Sequence, residues 1–373
     1  MADDLGAPLK RRRDRRPTLP GALTRLPYGR IVLGLVAVIG LGVTARIVLV
    51  NEPMGGRPSA EAPVTSSLDN NPVALGVGNK VTITADPEMI PVPARPDTPA
   101  ADIGIAEIDT RGVYPDLAEE SGRGPLPRIG SDGRTPFNAY ARAGLAPGAS
   151  GGRPLVALVV TGLGLSEAGT LDAITALPEA VTLAFAPYGK SLARSTAAAR
   201  AEGHELFLEV PLEPFDYPDN DPGPDTLLTG QTPRQNIERL QTVMASFGGY
   251  AGLINNMGAR FTASAADFSP MMEELGARGL GYLDDGSSNR SLAPQLAGTN
   301  KVPFARASRQ IDAEPSRGAI LAALTALEAD AKANGSALGV LSALPVSITT
   351  VAEWARTAAE RGIVLVPATS LMQ

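Results

Sequence analysis

From residue 153 onward, short β-branched apolar runs alternate with amphipathic helical segments, and this alternation restricts the fold more than any other feature. The apolar runs are 155–160, 181–186, 205–210, 250–255, 280–284, 302–305, 337–341 and 363–366, with helical patterns at 166–177, 190–202, 233–247, 266–278, 316–333 and 347–361 between them. Ser166 before Glu167, Thr232-Pro233 with Asn236, and Ser269-Pro270 with Glu273 are helix-start signals. Continuous apolar strands alternating with helices make a parallel sheet buried on both faces. Seven or eight such units in about 220 residues predict an α/β fold of the closed (β/α) barrel kind, with a doubly wound open sheet as the alternative.

The amino-terminal part is of another character. Residues 1–30 carry eight Lys/Arg against three Asp; with a net charge of −6 for the whole chain, the remainder stands near −11. This basic stretch precedes an apolar segment, 31–50, interrupted by Arg46. Some 20 residues are about the length that spans a hydrocarbon core as a helix, and an arginine near the end can snorkel to the interface. Positive charge before the segment predicts an internal amino terminus and translocation of the rest. The alternative is a signal segment cleaved after Ala45, which would release a secreted protein. Residues 51–152 contain 14 Pro and 14 Gly and read as a disordered linker. The expected organisation is a basic tail at 1–30, a transmembrane anchor or signal segment at 31–50, a linker at 51–152 and a globular domain at 153–373.

Composition removes several chemistries. The chain has no Cys, so disulfides, zinc-thiolate sites and a cysteine nucleophile are excluded. Its single His, His204, excludes any centre built from two imidazoles. His204 opens a strand at the amino end, the stability side of a barrel, and reads as structural. The mild net charge gives no case for nucleic-acid binding. Gly162-Leu163-Gly164 is a partial dinucleotide fingerprint that lacks its third glycine, position 167 being Glu.

Barrel chemistry is built at the carboxyl ends of strands. There the sequence places Thr161 and Gly162, then Glu209, Glu213, Asp216 and Tyr217, then Asn255, Asn256, Arg260 and Phe261, then Asp284 and Asp285. Carboxylates, amides, an arginine and tight Gly/Pro turns suit a polar ligand such as a sugar. Asp284 and Asp285 could ligate a hard divalent cation through oxygen; equally, one caps the Gly286 turn and the other is solvated.

Three blocks, 204–229 (HELFLEVPLEPFDYPDNDPGPDTLLT), 255–264 (NNMGARFTAS) and 282–291 (YLDDGSSNRS), resemble the divergent polysaccharide deacetylase family over roughly 153–373. The resemblance implies a distorted (β/α)7–8 barrel of polysaccharide deacetylase type. It also implies a bacterial, exported protein acting on an envelope polysaccharide or peptidoglycan-type glycan, here tethered to the inner membrane through 31–50 with the domain on the periplasmic side. Polysaccharide deacetylases use a metal held by one Asp and two His to activate water, with a second Asp as base. The divergent family usually shows Asp-Asp-Leu-Gly where this chain has Thr161-Gly162-Leu163-Gly164, and Asn-His-Met-Gly where it has Asn255-Asn256-Met257-Gly258. Where the family often places His before Pro, this chain has Leu344-Pro345. The family site is thus lost at Thr161, Gly162, Asn256 and Leu344.

A surviving centre would be recruited from Glu213 and Asp284 as catalytic carboxylates, with Arg260 stabilising an oxyanion. Asp216, Tyr217, Asn255, Asn256, Arg260, Phe261 and Asp285 would bind substrate. A divalent metal would be held by oxygen ligands of Glu209, Asp284 and Asp285, or be absent. Three functions compete: a degenerate barrel that binds glycan, an active metal-dependent deacetylase of an N- or O-acetylated polysaccharide, and a structural or interaction domain of the envelope.

Overall fold

The computed structural model describes residues 109, 112–145 and 148–373. The expected segments 1–30 and 31–50, and the linker up to 108, lie outside the described residues. Among the described residues no helix is long and apolar enough to cross a membrane. The expected placement as a single-pass inner-membrane protein is therefore not supported by the described residues.

The parallel sheet follows the alternation. Its strands are β3 (Leu155–Leu163), β4 (Thr182–Phe185), β5 (Leu206–Leu212), β6 (Gly252–Met257), β7 (Gly281–Asp284), β8 (Phe304–Arg306), β9 (Arg309–Gln310), β10 (Ser336–Ser342) and β11 (Val364–Leu365). They are ordered β8-β7-β6-β5-β4-β3-β10-β9, with β11 beside the start of β3. Only Ala307 and Ser308 separate β8 from β9, although these strands end opposite edges of that order. Ala307 N donates to Asp284 O of β7 and Ser308 N to Leu338 O of β10, each at 2.8 Å. The sheet therefore curls into a barrel-like form, its two edges drawn together by one broken strand.

Strand alternation divides the apolar residues into two cores. Leu155, Ala157, Val159, Ala184, Phe207, Ile254, Leu283 and Val340 fill the concave side with Val366, Ala368 and Met372 of the carboxyl-terminal segment. Val156, Leu158, Leu183, Leu208, Leu253 and Tyr282 face the helices. These helices are α2 (Glu167–Ala176), α3 (Leu192–Ala201), α4 (Pro233–Met244), α5 (Ala265–Arg278), α6 (Ala293–Asn300), α7 (Arg317–Asn334) and α8 (Pro345–Arg356), after a short α1 (Pro136–Tyr140). Ser166 caps α2 as its sequence predicts. Thr232 caps α4 in a box with Gln235, whereas Asn236 bonds the Leu228 backbone instead. Ser269-Pro270 is not a start: α5 begins at Ala265, and Pro270 lies inside it while Ser269 bonds Glu273.

Part of the expected linker is folded. Residues 112–145 carry a hairpin of β1 (Ala118–Ser121) and β2 (Gly124–Pro127) and the helix α1. Val113, Leu117 and Leu126 are buried, and Phe137 and Tyr140 pack on the concave core. Pro and Gly there serve turns and helix starts, which composition alone reads as disorder.

Candidate functional site

β3, β5, β6 and β10 direct a set of polar side chains to one mouth. Register pairs Pro211 with Asn256 and Thr161 with Ser342. Counting by twos from the concave core residues Val159, Phe207, Ile254 and Val340 brings Thr161, Glu209, Asn256 and Ser342 to the concave side.

Glu209 is the centre of this arrangement. Its carboxylate accepts from Gly162 N at 2.5 Å, across the intervening strand β4. The reach is possible because the concave positions of β4 and its end are Ala184 and Ala186, both small and buried. Gly162 has φ +79°, the left-handed region, where the chain bulges between Val160 and Leu163 and turns its N–H inward. A Cβ at Gly162 would meet nothing within 4 Å, so open space faces this position. Burial pushes the Glu209 carboxyl up to about 7, the Gly162 N–H pulling the other way. Tyr188, from the β4–α3 connection, donates to Pro224 O at 2.5 Å. Burial raises its hydroxyl pKa, with Asp225, Asp221 and Glu209 adding in the same direction.

The other sequence-derived candidates separate. Asp284 shares the helix-side face of β7 with Tyr282, opposite to Glu209, since Glu209 pairs with Ile254 and Ile254 with Leu283. Asp284 Oδ1 accepts from Gly286 N, capping the turn, and Oδ2 is buried without a partner. Asp285 accepts from Ser287 N and Oγ; burial raises its pKa despite those bonds. Asp284 faces the helices while Glu209 faces the concave side, so Glu209, Asp284 and Asp285 are not brought together as one ligand set. Among the described residues no three His, Cys, Asp or Glu side chains are grouped to hold a metal ion.

Glu213 is buried and engaged at both oxygens, by Thr229 N at 2.5 Å and Arg260 at 3.2 Å. It ties the 214–226 excursion to the end of β6. Phe261, read as a sugar contact, belongs to the core, in edge contact with Phe268. Asn255 is buried on the helix side, bonding Met257 O and Asp285 N. Asp216 is exposed, Tyr217 half-buried and Leu344 exposed at the rim. His204 is buried with its ring nitrogens 2.9 Å from Val181 O and 3.1 Å from Ile174 O, away from the mouth.

Sequence reasoning passes over two residues here. Tyr188 follows the end of β4, where Ala186-Pro187 offers no charged group to draw notice. Asp312 sits two residues past β9, a strand too short to read, and accepts from Ser342 N at 2.8 Å and Ser347 Oγ at 2.7 Å. It anchors the end of β10 to α8.

Among the described residues, cavities open near the sheet, two of them of similar size. One, of about 420 Å³, lies at the seam between β8 and β10 beside Ser308, Ser336 and Leu338, toward the start of β10. The other, of about 410 Å³, lies against the 214–226 excursion, on the carboxyl-end side.

A solved structure of an uncharacterised protein from Agrobacterium tumefaciens is 44% identical with a TM-score of 0.63, covering 66% of this chain and 99% of that one. The catalytic domain of a peptidoglycan N-acetylglucosamine deacetylase from Eubacterium rectale is 14% identical with a TM-score of 0.41, covering 63% of this chain and 96% of that one. No curated protein matches the chain. The sequence profile of divergent polysaccharide deacetylases matches residues 158–372, more than half of the chain. The chain belongs to the divergent polysaccharide deacetylase family.

Proposed function

We propose that this chain is a glycan-binding member of its family, whose carboxyl-end mouth engages an N-acetylated envelope polysaccharide without metal-assisted hydrolysis. The observation that carries the reading is the donor set at the mouth: Thr161, Asn256 and Ser342 with the single-donor carboxylate Glu209. A hard divalent cation takes six or more oxygen ligands, with carboxylates supplying the charge. Two neutral hydroxyls, an amide and one carboxylate already holding a backbone N–H do not fit it. They fit a sugar, whose hydroxyls and acetamide group both donate and accept hydrogen bonds.

In this reading Glu209 faces the acetamide group, Asn256 and Ser342 bond ring hydroxyls, and Tyr188 walls the mouth. Elemental analysis of the purified chain, coupled to an acetate-release assay on N-acetylated oligosaccharides after divalent metals are restored, tests it. Saturable binding with no acetate is the expected result; metal-dependent acetate release would reject the reading.

One observation favours a second reading. With its carboxyl pushed up to about 7, Glu209 can both take and return a proton near neutrality, as a general base must. That reading predicts metal-independent acetate release, abolished in Glu209→Gln.

A further inference from the structure

We infer that the groove between the 214–226 excursion and α4 is a second saccharide site, holding sugars that adjoin the one in the mouth. The inference rests on the glycan-binding reading above and extends it from one sugar to a polymer.

The excursion is a wall pinned at its base. Leu227 returns beside Leu212; Leu227 N donates to Pro211 O at 3.0 Å and Glu213 N to Leu227 O at 3.1 Å. Residues 214–226 therefore project beyond the carboxyl ends of the strands. On one side of the wall stands Tyr188, its hydroxyl on Pro224 O. Gly223 has φ +127°, and a Cβ there would lie 2.7 Å from the Tyr188 ring, so only glycine lets ring and wall meet. Against the same wall opens the cavity of about 410 Å³, lined by Tyr217, Asp221, Gly223, Pro224, Thr226 and Arg239 among others. Gly223 and Pro224 thus border both the cavity and Tyr188, joining the groove to the wall of the mouth.

The lining has sugar-binding chemistry. A pyranose presents hydroxyls at its edge, which planar carboxylates and guanidinium groups bond in pairs, and C–H groups on its face, which an aromatic ring covers. The groove supplies the half-buried Tyr217 ring, the carboxylates of Asp221 and Asp225, and Arg239. Arg239 uses Nη1 on Thr226 O at 2.6 Å, and Asp221 Oδ1 accepts from Gly223 N at 2.9 Å, so both groups are held in place. Two acids against one base repel a polyanion. The ligand class is a neutral N-acetylhexosamine polymer.

Calorimetric titration of the full chain with N-acetylglucosamine oligomers of two to six sugars tests the site. The wild type is expected to bind the hexamer about tenfold tighter than the dimer, one 1.4 kcal/mol step. Tyr217→Ala and Asp221→Asn are expected to remove that gain and leave dimer affinity unchanged; Asp221→Asn keeps the acceptor for Gly223 N, so the wall stays folded. Equal affinity for dimer and hexamer in the wild type, or equal loss for both in the variants, overturns the second site while leaving the mouth reading intact. Failure of the wild type to bind any oligomer overturns both.

Discussion

Glu205 and Glu209 are four residues apart on the same face of one strand segment, and both are buried. Their surroundings are opposite. Glu205, at the amino end, accepts from Thr182 Oγ1 at 3.0 Å, Arg142 N at 3.1 Å, Thr369 N at 3.3 Å and Thr369 Oγ1. It fastens β4, the residues after α1 and the carboxyl-terminal turn around one carboxylate. Glu209, toward the carboxyl end, holds one backbone N–H, that of Gly162. The amino end uses a buried acid to close the fold; the carboxyl end keeps hydrogen-bonding capacity for something else. A buried carboxylate saturated by donors fastens the fold, whereas one with spare acceptor capacity is a candidate for function.

The contrast can be broken first by truncation. Glu205→Ala is expected to cost about 4 kcal/mol, because it strands several buried donors, whereas Glu209→Ala costs about 1 kcal/mol. Denaturant unfolding of the two variants measures this directly; equal losses would end the distinction.

A pH series sharpens it. Burial raises the carboxyl of Glu209 to about 7, so between the ordinary carboxylate range and that value the folded chain keeps a proton that the unfolded chain has released. Stability therefore falls as pH rises across that window. Glu205 is shifted in the same direction by burial, opposed by its Thr369, Arg142 and Thr182 bonds. Glu209→Gln is expected to remove its own share, gaining about 2 kcal/mol on the wild type at pH 8 relative to pH 5. A difference that does not grow with pH would contradict the assignment.

Two smaller substitutions probe the lane between Glu209 and Gly162. Ala186→Leu fills the small-residue strip and is expected to cost about 2 kcal/mol by overpacking, with loss of the Glu209–Gly162 bond visible in the Gly162 amide resonance. Gly162→Ala meets open space and so costs only the left-handed backbone strain, about 1 kcal/mol. A larger loss in thermal melting would mean that the mouth is more tightly packed than described.

Much of the fold was legible because periodicity marks long elements. The run 155–160 extends to β3 (Leu155–Leu163), and the pattern 316–333 is α7 (Arg317–Asn334) almost residue for residue. α6 went unread because Pro294 and Gly298 imitate a loop, and β9 is too short for any period. The folded part of 112–145 was hidden by its turn residues, whose packing partners lie far along the chain. The site was less legible. That Asp284 turns to the helices, away from Glu209, follows from alternation and register. That Glu209 reaches Gly162 depends on the register of three strands and on the small residues at β4, which no local pattern reveals.

The central claim is that the mouth binds an N-acetylated glycan through Glu209 and its neighbours with no resident metal. Its most direct test is titration of the full chain with N-acetylglucosamine dimer in the presence of a strong chelator, for the wild type and Glu209→Ala. Saturable binding that survives the chelator and is lost in the variant is the predicted result. Binding that the chelator abolishes, or that Glu209→Ala leaves untouched, would contradict the account.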